Sequence, residues 1–157
     1  MAKKLGVLLG VSVLLATATA TAAPAVHPMA QPNGCGAFVQ DATDQKKGNQ
    51  ILAFVEPDSS TSEEKGSLKI DLGQGVETLT LKSRSEDAPE KVGDKLISVY
   101  ENKNAHIDLN ETSLGLCGDA PQFAKSESCE YVAFSGTMRV KTPQGKITYK
   151  VLVHDGC

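Results

Sequence analysis

Four cysteines and three histidines carry the most versatile chemistry in this chain, and their spacing limits what that chemistry can be. Cys35, Cys117, Cys129 and Cys157 include no Cys-x-x-Cys pair and are irregularly spaced, which is unlike a zinc site. An even number of cysteines in an exported chain reads instead as two disulfides, for which the count alone leaves three connectivities open. His27 lies in PAVHPMAQPNG, a stretch with no strand or helix pattern. His106, in NAHIDLN, falls on the side opposite Ala105, Ile107 and Leu109, beside Asp108 and Asn110, as on a solvated strand face. His154 is followed by Asp155. A metal shared by His106 and His154 would need a third ligand that no pattern marks, so no metal is assigned.

Other chemistry finds no anchor either. There is no G-x-S-x-G nucleophile elbow. The 19 Asp and Glu residues offer many carboxylate pairs, none marked by its surroundings. DLGQG, Asp71 to Gly75, is a turn between strands and not a strand-to-helix phosphate loop. Asn110-Glu111-Thr112 matches a glycosylation sequon, which matters only in a eukaryotic secretory pathway. No catalytic, cofactor-binding or metal residue is therefore assigned, and no cofactor.

Compartment and charge are more legible. MAKKLGVLLGVSVLLATATATAAP sets Lys3 and Lys4 before an apolar run from Leu5 to Leu15 and a small-residue stretch with Ala-x-Ala sites ending at Ala20 and Ala22. That is the layout of a secretory signal peptide, and its apolar run is about half of what ~30 Å of hydrocarbon requires. The expected division is a signal peptide over 1–22, a flexible segment over 23–34 and one β domain over 35–157, secreted or periplasmic. Without Lys3 and Lys4 the chain keeps 14 basic against 19 acidic residues, a net charge near −5. Its basic residues are scattered, which argues against nucleic acid and anionic lipid, while the acidic balance serves either solubility or a cationic protein partner.

The cysteines must be positioned by strands, because apolar residues recur with period two in short runs cut by turn residues. The runs are Gly36–Gln40, Gln50–Glu56, Ser67–Leu72, Val76–Lys82, Lys95–Glu101, Ala105–Leu109, Glu130–Lys141 and Lys146–His154. No helical stripe persists. The pattern predicts an all-β fold, a single antiparallel sandwich or small barrel of about eight strands stabilised by disulfides. With no tryptophan and only seven Phe and Tyr, its core must be mainly aliphatic.

The end of the chain allows a finer expectation. Thr142-Pro143-Gln144-Gly145 has proline and glycine where a type I turn favours them. If Lys141 and Lys146 flank it, Val140 faces Ile147, Met138 faces Tyr149, Gly136 faces Val151 and Phe134 faces Val153. A slip of one residue would turn the apolar set outward. Continuing that face brings Cys157 inward, and Cys35 precedes Ala37 and Val39 at the same period. Cys35 is thus expected to pair with Cys157, and Cys117 with Cys129, closing the loop CGDAPQFAKSESC. That loop is the better candidate for recognition, the alternative being that it only stabilises a long connection. The polar connections Pro57–Gly66 and Lys82–Asp94 read equally as binding loops or as tolerated insertions. The function this suggests is a small exported binding or inhibitory module acting through loops on a disulfide-reinforced scaffold. The alternatives are an envelope-associated structural or self-assembling component and, behind it, a small secreted enzyme.

Overall fold

Alternating residues become eight antiparallel strands that meander in chain order and close on themselves. They are β1 (Gly36–Asp41), β2 (Ile51–Glu56), β3 (Ser67–Asp71), β4 (Val76–Arg84), β5 (Lys95–Glu101), β6 (His106–Leu116), β7 (Tyr131–Thr142) and β8 (Gly145–Gly156). This is a computed structural model, and it describes residues 23–43, 50–57, 66–85, 91–119 and 129–157. The signal peptide expected over 1–22 lies outside the described residues, as do 120–128 of the Cys117–Cys129 loop and 58–65 and 86–90 of the other two connections.

The architecture is a barrel, and the sandwich alternative is corrected. β1 is hydrogen-bonded to β2 on one side and to β8 on the other, so one sheet returns to its starting strand and leaves no edge. Eight strands enclose a space just wide enough for side chains to fill. The filling is mainly aliphatic: Val39, Leu68, Ile70, Ile107, Val140 and Val153 have no solvent exposure.

In the longest hairpin, Val140 pairs with Ile147, Met138 with Tyr149, Gly136 with Val151 and Phe134 with Val153. That is the register expected from the apolar pattern. Proline begins the Pro143-Gln144 connection, and Gly145 takes φ 143°, which a residue with a side chain rarely adopts. The turn from β3 to β4 is held by Asp71, whose Oδ1 accepts from the N–H of Gly73 at 2.8 Å and of Gly75 at 3.3 Å.

Cys35 is joined to Cys157 and Cys117 to Cys129, with Cα atoms 4.1 and 6.2 Å apart. The first pair follows from the β1–β8 register, which ends at Gly36 opposite Gly156 and so leaves the cysteines as the next facing residues. The expectation that Cys157 and Cys35 point into the core is corrected, since both are exposed. Their pairing lies one step past the last strand pair, where there is no longer a barrel interior to enter. Cys117 is the buried one, 1% exposed, and its N–H donates to the Tyr131 carbonyl at 3.1 Å.

Two disulfides suggest an oxidising, extracellular or periplasmic environment. Among the described residues no helix is long and apolar enough to cross a membrane.

Within residues 23–34, read from sequence as a flexible segment, Pro24 and Val26 are buried. Val26 joins the core cluster, and its N–H donates to the Tyr149 hydroxyl at 3.1 Å. His27 bridges Asp71 and Met29 bridges Ile51. All these contacts fall at the barrel end that carries the β1–β2, β3–β4, β5–β6 and β7–β8 connections, hereafter the closed end. The opposite end, where β1 begins and β8 finishes, is the mouth.

Candidate functional site

The mouth is built by three local features of the strands. β6 runs on past Leu109 to Leu116, so the inward face of Ala105, Ile107 and Leu109 continues through Glu111 and Ser113. Strict alternation thus carries a carboxyl group into the barrel, where Glu111 is only 5% exposed. Its neighbour on β7 is Gly136, which lets the two backbones approach so closely that a Cβ there would meet the Asn110 carbonyl.

The second feature is a bulge in β4. Leu81 faces Tyr100, but the next pairs are Ser83 with Val99 and Arg84 with Ser98, so one extra residue sits around Lys82. Directly opposed residues share a face of the sheet. Without the insertion Arg84 would alternate outward; with it, the side chain turns to the face of Ser98 and Tyr100, both 1% exposed. Arg84 Nε donates to Ser98 Oγ at 3.4 Å, and its Nη2 to the Tyr100 hydroxyl at 3.3 Å. Both partners are neutral oxygens, so the guanidinium is oriented without being neutralised.

The third is the end of β8, which brings Asp155 to the same rim. Together these residues border a cavity of about 200 Å³, walled also by Ala37, Val55, Leu96, Leu109 and Phe134. Burial pushes the Glu111 carboxyl up to about 7, a rise that Arg84 opposes and Asp155 reinforces. Burial likewise raises the Tyr100 hydroxyl, against the pull of Arg84. Glu111 makes no hydrogen bond and Arg84 no ion pair among the described residues. Glu56, also on the rim, is already engaged by Ser67 and Lys69, which hold its carboxyl below the ordinary range.

The structure separates the residues that sequence reading singled out. His106 starts β6 at the closed end, where Nδ1 meets Glu101 at 2.6 Å and Nε2 meets Asp108 at 2.8 Å. Glu101 and Asp108 raise its pKa against partial desolvation, and Lys141 lies 3.2 Å from Asp108. His154 lies near the mouth on the outer surface, with Nε2 2.9 Å from Asp119 and its ring tilted at 45° against Tyr131, centroids 4.5 Å apart. The two histidines therefore stand at opposite ends of the barrel and cannot share one metal or one acid–base step. Among the described residues no group of three or more His, Cys, Asp or Glu could hold a metal ion.

Two other depressions among the described residues carry less. One of about 360 Å³ at the closed end has Glu77 as its charged group, already held by Asn102 and Asn104. Another, of about 270 Å³, lies on the outer surface beside Phe38, Tyr131, His154 and Cys157, with the His154 ring already engaged by Asp119.

Glu111 and Arg84 were both missed by sequence reading. Glu111 had a signal, since the period-two face ending at Leu109 reaches it in one further step. Arg84 had none, because the bulge that turns it inward leaves no mark in the pattern. Comparison with protein-family models, with curated proteins and with solved structures finds no significant match to this chain.

Proposed function

We propose that the chain is a small exported binding module whose ligand is a small molecule held in the mouth of the barrel. The observation that carries this reading is Glu111: a carboxyl group 5% exposed, with no hydrogen bond among the described residues, lining a cavity that Arg84 also borders. Desolvating a carboxyl group without a hydrogen-bonding partner disfavours its charged form, and that burial is the main cause of the raised Glu111 pKa. A fold retains such a group where something else supplies the partner, and a concave, mostly apolar site with a few converging polar groups is the usual form of a ligand pocket. A strand bulge that brings a cationic side chain, itself exposed, to the border of the same cavity supports the reading independently. The disulfides at the mouth end suit a preorganised rim on an exported scaffold.

A small-molecule library screened by amide chemical-shift mapping tests the proposal. The expected result is a compound whose shifts centre on Arg84, Leu96, Tyr100 and Glu111, lost in an Ala37→Phe variant that fills the cavity. A screen in which no compound moves these residues, while a protein partner moves the outer surface, would replace it with recognition through loops.

A further inference from the structure

The mouth holds charges of both signs that the protein has not used on each other. Arg84 feels Glu111 electrostatically, yet the two form no salt bridge, and Asp155 adds a second carboxylate whose side chain makes no hydrogen bond or ion pair among the described residues. A direct Arg84–Glu111 pair would have satisfied both groups internally. Ser98 and Tyr100 instead take the Nε and Nη2 hydrogens of Arg84 with neutral oxygens. Guanidinium has five N–H donors in a planar fork, so donors remain for a two-point contact with a carboxylate.

A ligand with a single charge fits this arrangement poorly. An anion on Arg84 meets Glu111 and Asp155, and a cation between those carboxylates meets Arg84. A dipolar ligand meets each with its opposite. Size and walls narrow the class further. The cavity is about 200 Å³, and a cavity of ~150 Å³ accommodates benzene, so the guest has on the order of ten heavy atoms or fewer. Leu96, Leu109 and Phe134 offer it an apolar wall.

From these observations we infer that the mouth binds a free α-amino acid or a zwitterion of the same size, its carboxylate on Arg84, its ammonium group between Glu111 and Asp155, and its side chain against Leu96, Leu109 and Phe134. This rests on the reading of the mouth as a small-ligand site. Binding would supply Glu111 with the partner it lacks and complete the guanidinium fork without moving a strand.

Titration calorimetry on the unaltered protein is the test, with leucine compared against isopentylamine, which lacks its carboxylate, and 4-methylpentanoate, which lacks its ammonium group; other free amino acids follow. Leucine or another amino acid should bind about tenfold or more tighter than either single-ended analogue, and Arg84→Gln and Glu111→Gln should each remove about tenfold or more. A single-ended analogue that binds as tightly as the best amino acid overturns the zwitterion assignment. So does failure of every amino acid while another compound shifts Arg84 and Glu111, and in that case the mouth stands as a site for a different ligand. If no small molecule shifts those residues, the site itself falls. The comparison of ligands on the unaltered protein needs no variant to fold.

Discussion

Glu111 shows how a single side chain ties stability to pH. Its carboxyl ionises near 4.5 in the unfolded chain and near 7 in the barrel, because burial disfavours the charged form more than Arg84 restores it. Between those values the folded protein holds a proton that the unfolded chain has lost. Folding stability from this group therefore declines as pH rises through the window, by on the order of 3 kcal/mol in all. Glu111→Gln keeps the shape and removes the titration. Urea unfolding at pH 5 and pH 8 should show the unaltered protein losing about that much relative to the variant, and parallel pH dependences for the two would refute the assignment. His106 has the same sign from a different cause, because its pairing with Glu101 and Asp108 stabilises the cation, whereas burial at Glu111 penalises the anion. Its contribution is present at low pH and is lost as pH rises through its raised pKa, and it stays small because the ring is partly solvated.

At the scale of elements, the β6–β7–β8 unit forms both the register and the floor of the site. A Cβ at Gly136 would run into the Asn110 carbonyl and lie 3.0 Å from the Glu111 Cα, both backbone atoms of β6 that cannot swing aside. Gly136→Ala should therefore cost about 1–3 kcal/mol, read as a lower urea midpoint at unchanged slope, whereas Thr137→Ala on the exposed face should fall within ~0.5 kcal/mol. Equal effects at the two positions would mean that β6 and β7 do not approach so closely. The strands and this register were legible because a buried face imposes period two and Pro143 restricts the turn. Two features went unread: the extent of β6, to which the alternating face of Ala105, Ile107 and Leu109 pointed, and the bulge of β4, which nothing marked. Asn110, Glu111 and Thr112 read locally as a polar stretch, and only neighbouring strands on both sides hold them in a sheet.

For the molecule as a whole, two devices tie the ends of the β domain. The Cys35–Cys157 bond spans 122 residues, and removing so long a cross-link from the unfolded ensemble costs about 5 kcal/mol in the chain-entropy account. Both cysteines are exposed, so a reductant reaches them in the folded state. The Cys35→Ala/Cys157→Ala double variant should unfold at a markedly lower urea concentration. Little change would mean that β1–β8 hydrogen bonding alone sets the closure. At the opposite end, Val26 fills the barrel from outside the strand pattern. Val26→Ala should cost about 2 kcal/mol, a loss absent if residues 23–29 leave the barrel in solution.

Alternation of apolar residues and turn chemistry are local properties, which is why the strands and the last hairpin's register can be read along the chain. The Cys35–Cys157 bond was expected from an inward phase that both exposed cysteines lack, and follows instead from the β1–β8 register. Closure of β1 on β8, the seating of Val26 and the meeting of Arg84 with Glu111 join residues far apart in sequence, through hydrogen bonds and packing that no single segment encodes. The pattern along each strand fixes which way side chains point. Whether they meet a partner, a cavity or water depends on how many strands curl together and where one of them gains a residue.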